Sequence, residues 1–117
     1  AAAFCDTLEK AGYYATIYST VDWFKTKLSA KQLDRFDRWI AEEGVSKPNF
    51  EKPYGMWQFT WNAQVDGING RADESVSYRD YPNLIRQAGL NHLTPELPAR
   101  AVSVEELRSM GYQAVKL

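Results

Sequence analysis

Cysteine and histidine are nearly missing from this chain: 117 residues carry one of each, with two methionines. A lone Cys5 closes no internal disulfide and belongs to no metal-ligand spacing, so it reads as a small apolar side chain buried on a helix. His92, in the loop Gly89-Leu90-Asn91-His92, has no second histidine nearby to make a zinc site. The Gly-x-Ser-x-Gly elbow that would activate a serine is absent too. The expectation is therefore no metal and no cofactor. Charge of one sign is also lacking. Fourteen Lys and Arg against fifteen Asp and Glu leave a net charge of −1, with no basic run. Nucleic acid is excluded as the main partner, because phosphate binding needs a basic patch. No apolar run approaches the ~18 residues that cross a bilayer, and no charged start precedes an apolar centre. A membrane partner is not expected, and the residues encode no address.

What is present is a packed core's worth of apolar surface, 44% hydrophobic and 14% aromatic, at a length near one domain. The most informative stretch is Tyr54 to Asp73, YGMWQFTWNAQVDGINGRAD. Trp57 and Trp61 lie four residues apart around a glutamine and a threonine. A loop with Asp66-Gly67 and Asn69-Gly70 follows, and the run closes on Asp73. Flat aromatic faces, amides and a carboxylate are the ingredients of a sugar-binding cleft: rings cover the apolar C–H faces of pyranoses while amides and carboxylates take the hydroxyls. The same residues also read as a core strand, a turn and a surface aspartate, and composition does not choose between the two.

Along the chain, residues 1–12 read as a helix with Phe4, Leu8 and Ala11 on one stripe and Gly12 as its stop. The start AAAFCDTLEKAG has no methionine and no N-cap, which suggests a chain cut inside a larger protein. Tyr13–Ser19 is β-branched and aromatic, a strand. Thr20 caps a short helix through Lys27, with Asp22 near the positive end of its dipole. Ser29-Ala30-Lys31-Gln32 has the form of a capping box opening a second short helix. Asp37–Ala41 is a short strand, 42–53 a polar loop with two prolines, Tyr54–Thr60 a strand, and Gln64–Asp73 a shorter strand broken by glycine turns. Asp80-Tyr81-Pro82 opens a helix whose apolar face is Leu84, Ile85 and Ala88. Thr94–Ala101 is a linker, Ser103 and Glu106 cap a helix ending at Gly111, and Gln113–Leu117 is a terminal strand. Helices alternating with strands predict an α/β fold with a largely parallel sheet. LEKAGYYA (8–15) echoes LRSMGYQA (107–114), which shared turn chemistry explains better than duplication.

Trp57-Gln58-Phe59-Thr60, then Val65-Asp66-Gly67-Ile68-Asn69-Gly70, then Asp73 resemble the C-terminal half of the glycoside hydrolase family 25 lysozymes (muramidases). AAAFCDTLEKAGYYATIYST, DWFKTKLSAKQLDRFDRWIAEE and YRDYPNLIRQAG fall in the family's order, so the resemblance spans roughly residues 1–89. It implies the C-terminal half of a modified (β/α)₈ TIM-like barrel over 1–93, followed by a linker and helix–strand tail over 94–117. It also implies cleavage of the β-1,4 bond after N-acetylmuramic acid in peptidoglycan, with extracellular or cell-wall action. Position by position, Asp73 matches the family's acidic residue on the last strand, the catalytic candidate. Trp57 and Gln58 match its Trp-Gln on the seventh strand, Tyr18 the aromatic of its fifth, and Trp39 the tryptophan of its sixth; these four are the substrate-binding candidates. Trp39 leans toward core packing, and Trp23 and Trp61 are left structural. Two departures stand out: Asp73-Glu74-Ser75 replaces the usual Asp-Leu-Asn, and Glu43 stands where an aromatic is common.

Glycoside hydrolysis needs a proton donor as well as a group that stabilises the oxocarbenium-like centre. The resemblance places the family's Asp-x-Glu pair on a fourth strand, ahead of Ala1. Glu51, Asp34 and Asp37 are poor substitutes in loop or helix positions, and Asp73 and Glu74 alternate to opposite faces. The expectation is a truncated muramidase, inactive in isolation. The alternative is a non-catalytic module that binds cell-wall glycan, and a plain structural α/β domain is the weakest reading. Half a barrel also leaves open strand edges, so self-association, or pairing of the tail strand with an edge, is expected.

Overall fold

The computed structural model describes residues 1–95. The linker from Thr94, the capped helix to Gly111, the terminal strand Gln113–Leu117 and the second copy of the echo lie, from residue 96 on, outside the described residues.

The described residues hold three α-helices and four strands, in the order α1 Ala2–Lys10, β1 Thr16–Thr20, α2 Val21–Lys25, β2 Asp37–Ala41, β3 Met56–Ala63, β4 Ala72–Ser77 and α3 Tyr81–Gln87, so that helix and strand alternate only as far as β2. The strands form one sheet in the order β1-β2-β3-β4. The expected α/β class holds as a mixed sheet: β1, β2 and β3 are parallel, while β4 runs antiparallel to β3. The parallel pairs put Tyr18 opposite Trp39 and Trp39 opposite Met56, and Ile40 opposite Trp57.

The core lies on the helix-covered side of the sheet. Ile17 and Ile40 pack there with Val21 and Phe24 of α2, Cys5 of α1, and Leu33 and Phe36 of the β1–β2 connection. Burying an aliphatic or aromatic side chain of this size contributes about 1.5–3 kcal/mol each, so these few residues hold α1 and α2 to the sheet. Arg38 shares that side, 3% exposed. Its guanidinium donates to Asp34 at 2.7 Å and to the Pro53 carbonyl at 3.2 Å, and lies 5.6 Å from the Phe50 ring centre. Paired and bonded in this way, the charge survives burial.

Local chemistry set several elements as expected. Thr20 caps α2, its hydroxyl accepting from the Trp23 N–H, with Asp22 in the first turn. Asp80 caps α3 by accepting from Asn83 N–H, and β2 spans Asp37–Ala41. Other expectations fail. Phe4 is 69% exposed and Ala11 exposed; the inward stripe of α1 is instead Ala2, Cys5 and Leu8. Ser29 caps nothing: its hydroxyl donates back to the Thr26 carbonyl, and only a single 3₁₀ turn, Lys31–Leu33, follows. The strand expected over Gln64–Asp73 is a turn up to Arg71, and β4 begins at Ala72. β1 begins at Thr16 rather than Tyr13, since Tyr13 and Tyr14 dock on the turn after α3. There the Tyr14 N–H donates to Asn91 Oδ1, and the Tyr13 hydroxyl shares a 2.7 Å hydrogen bond with His92 Nε2.

Candidate functional site

Side chains alternate across a strand, so the sheet's second face, away from the core, is lined by Tyr18, Trp39, Gln58 and Ser75. The register sets Ser75 opposite Gln58 and Tyr18 opposite Trp39. The Tyr18 hydroxyl donates to Gln58 Oε1, and the Trp39 indole N–H donates to Ser75 Oγ at 3.1 Å. The Tyr18 and Trp39 rings meet edge to face, centroids 4.8 Å apart. Tyr18 is 52% exposed, whereas Gln58 is 4% exposed. The phenol holds the carbonyl side of the carboxamide, which leaves the Gln58 amide N–H₂ as the free donor of a fixed group. Fixed donors beside an exposed ring suit a polyhydroxylated ligand, because the ordering cost is met in the folded protein.

Asp73 lies on β4 two residues before Ser75, and alternation sets it on this same face. It is exposed and makes no hydrogen bond or ion pair with the described residues. The antiparallel direction of β4 carries its start to the C-terminal ends of the parallel strands, where Ala72 pairs with Ala63. At that rim Glu43 accepts from Thr60 Oγ1 at 2.6 Å and from Asn62 Nδ2 at 3.2 Å, and Arg71 donates to Asn62 Oδ1 at 2.9 Å. The Glu43 carboxylate therefore braces the end of β3.

Trp57 stands apart from the other candidates. It packs against the helix-side core, and its indole N–H donates to the Glu42 carbonyl at 3.0 Å. Adjacent residues of a strand face opposite ways, so Trp57 and Gln58 do not converge. The structure brings together Tyr18, Trp39 and Gln58, with Asp73 further along the same face. Sequence reasoning missed Ser75, which counting two residues on from Asp73 along an alternating strand would have found.

The opposite end of the sheet holds a second polar cluster that the sequence did not suggest. Asp37 accepts from the Tyr14 hydroxyl at 2.9 Å, from the Tyr81 hydroxyl, and from the Arg38 N–H at 2.8 Å. Burial first, then the bond to Asp37, pushes the Tyr14 phenol up to about 12 and raises that of Tyr81 in the same way. Lys52, donating to Asp34, holds that carboxyl below its usual range, with Arg38 adding to the effect. Among the described residues no group of three or more His, Cys, Asp or Glu is placed to hold a metal ion.

Comparison with known proteins adds what geometry cannot. A family model described as "Glycosyl hydrolases family 25" matches residues 1–68. An autolytic lysozyme of Clostridium acetobutylicum is 37% identical over 70 residues, covering 60% of this chain and 21% of that protein. The crystal structure of the CTP1L endolysin superposes with a TM-score of 0.55 at 31% identity, over 71% of this chain and 30% of that one. A bacterial lysozyme from Streptomyces coelicolor superposes with a TM-score of 0.52 at 24% identity, over 65% and 37%; that likeness is one of fold. The chain thus spans about a fifth to two fifths of the relatives it matches.

Proposed function

The chain belongs to glycosyl hydrolases family 25, and from that premise we propose that it forms one wall of the cleft of a peptidoglycan-cleaving lysozyme, an N-acetylmuramidase acting at the cell wall or outside the cell. The four strands correspond in this reading to the last four of a modified (β/α)₈ barrel, and the face bearing Tyr18, Trp39 and Gln58 looks into its interior. The carrying observation is the Gln58 carboxamide, buried and oriented by the exposed Tyr18, whose ring meets the half-buried Trp39 edge to face. Active sites of such barrels sit at the C-terminal ends of the strands, and Asp73 lies at that rim.

Asp73 takes the role of a hydroxyl acceptor and of negative charge facing the oxocarbenium-like centre, while the proton comes from a different carboxyl. Neither Glu42 nor Glu43 suits that second role. Glu42 accepts from the backbone and side chain of Asn49, and Glu43 braces Thr60 and Asn62. The 117 residues alone are therefore expected to bind glycan without cutting it. A wall-binding module that never cuts is the second reading, and the same exposed aromatic face favours it. Among the described residues β1 and β4 are the edge strands; such edges invite pairing with another strand or a second copy, and sizing chromatography reads the second directly.

The test is a titration with soluble peptidoglycan glycan, following tryptophan emission, beside a reducing-end assay on purified walls. Binding is expected, weakened about tenfold, or ~1.4 kcal/mol, by Gln58→Leu, and reducing ends should not rise. Binding unaffected by Gln58→Leu, Tyr18→Phe and Trp39→Ala together would remove this face from the site. Hydrolysis by the 117-residue chain that Asp73→Asn abolishes would show that these residues already supply the proton donor, against this reading.

A further inference from the structure

Two cavities on the helix side of the rim belong to none of the candidate residues. The first, about 380 Å³, starts at Thr20 and Ala41, the last residues of β1 and β2, and reaches Trp61 and Lys25. The second, about 600 Å³, is lined by Lys25, Lys47 and Lys52 around Phe24, Pro48 and Phe50. Lys25 lines both, so the two adjoin at its side chain and form a trough in two parts, one at the rim and one between α2 and the 47–52 loop. That loop is fixed at its middle by Glu42, which accepts from the Asn49 backbone N–H and side-chain amide at 2.8 and 2.7 Å. Beneath the trough the Phe24 and Phe50 rings lie 5.7 Å apart, tilted by 47°.

Charge is distributed unevenly along it. Asp22, Glu42 and Glu43 line the part nearest the rim, and the three lysines line the far part with Glu51. Lys52 is paired with Asp34 at 2.7 Å. Lys25 and Lys47 are exposed and form no ion pair among the described residues. Two unpaired lysines over an aromatic floor, beyond an acidic stretch at the rim, fit a partly apolar chain that carries its carboxylates toward the far end. A phosphodiester polymer would use the lysines but gain nothing from the phenylalanines.

Resting on the glycan reading above, we propose that this trough binds the acidic peptide stem that branches from each muramoyl residue of the substrate. The glycan runs along the rim at Asp73 and Gln58. The stem leaves it past Thr20 and Ala41, lies over Phe50, and sets its carboxylates at Lys25 and Lys47. The site then reads the substituents of the wall polymer as well as its sugars.

The experiment is an NMR titration of the uniformly ¹⁵N-labelled chain with three probes: a GlcNAc–MurNAc disaccharide, the same disaccharide bearing its tetrapeptide, and the free tetrapeptide. The peptide-bearing disaccharide is expected to bind about tenfold tighter than the bare one and to shift the amides of Lys25, Lys47 and Phe50. Lys25→Ala with Lys47→Ala should remove that gain and leave bare-disaccharide binding unchanged. Lys25→Arg with Lys47→Arg should keep it. Equal affinity for both disaccharides, or a gain that survives the double alanine variant, overturns the trough and leaves the glycan face standing. Shifts at Lys25 and Lys47 with the free peptide, and none anywhere with bare disaccharide, support the trough and remove the glycan face. A glycerol-phosphate oligomer that shifts the same amides more tightly than the peptide-bearing probe overturns the assignment to peptide.

Discussion

Replacing Asp37 by asparagine is the sharpest test of what holds the sheet together at the end away from the rim. The Asp37 side chain is 5% exposed, yet its carboxylate accepts from two phenols and one backbone N–H, with Arg79 Nη2 4.0 Å from Oδ1. Asparagine matches its shape but offers one oxygen. If that oxygen serves the phenols, the new amide faces the Arg38 N–H donor; if it serves Arg38, the amide faces two hydroxyls that must turn. Hydrogen bonds to a charged partner contribute about 1.5–3 kcal/mol against about 1 for neutral ones. Weakening all three and misaligning one gives an expected loss of about 2–4 kcal/mol, large against a total stability of 5–15. Urea unfolding at pH 7 reads this as a lower midpoint at unchanged slope. A cycle with Tyr81→Phe should show non-additivity, because the two groups share a bond. The alkaline limb supplies a second reading. Tyr14 is raised to about 12, so the unfolded chain ionises this phenol first, near pH 10. Its contribution is therefore fully present below about pH 10 and is lost as pH climbs through about 12. Two pKa units correspond to about 2.7 kcal/mol in a dry site. Tyr14 is only part-buried, and screening reduces this to about 1 kcal/mol. In Asp37→Asn this alkaline loss should shrink. A variant within 0.5 kcal/mol (about the resolution of such a measurement) of the parent, with an unchanged alkaline limb, would refute the reasoning.

Gly55→Ala should destabilise by about 1–3 kcal/mol through overpacking: a Cβ there would lie 1.8 Å from the Tyr81 hydroxyl and 2.8 Å from both Asp37 oxygens. An unchanged melting temperature would contradict it. Tyr18→Phe removes the bond that orients Gln58 and should cost only about 0.5–1.5 kcal/mol of stability while weakening glycan binding, and equal binding by the variant would show that the carboxamide needs no such hold. Cys5 is 5% exposed, and burial raises its thiol above the usual range. Labelling by a thiol reagent at pH 8 should therefore be slower by about a hundredfold or more in the native chain than in urea, and comparable rates would mean that α1 opens readily.

The sequence was most legible where one residue's own chemistry decides the outcome. Thr20 and Asp80 cap because a short oxygen-bearing side chain satisfies a free N–H at a helix start, and β2 alternates plainly through Trp39 and Ile40. It was least legible where a distant partner decides. Phe4 and Cys5 both fit an apolar stripe on α1, and only the position of the sheet beneath selects Ala2, Cys5 and Leu8. Ser29 has the sequence of a capping box, but too few residues follow before Leu33 and Phe36 must enter the core. For the candidate site, the family pattern named Tyr18, Trp39 and Gln58, which do share a face. It also named Trp57, although neighbouring positions of one strand cannot share a face, a point the alternation rule carried all along.

The direction of β4 decides how the candidate site is built. In a fourth parallel strand, residues 72–73 would begin beside Met56 and Asp37, at the end where the Tyr14–Asp37–Tyr81 cluster seals the sheet. Asp73 would then join a structural lock and face no ligand. Antiparallel pairing, Met56 with Ser77 and Ala63 with Ala72, sends the start of β4 to the other end. The glycine-containing turn at 64–71 makes that reversal possible, with Gly67 and Gly70 both at positive φ, where a side chain would be strained. The V-D-G-I-N-G loop therefore contributes by geometry: it turns the chain so that a carboxylate eight residues beyond Val65 arrives at the rim. Shortening that loop should leave the Asp37 cluster and the core intact and cost glycan binding. A shortened chain that binds as the parent does would show that the position of Asp73 is not what the loop provides.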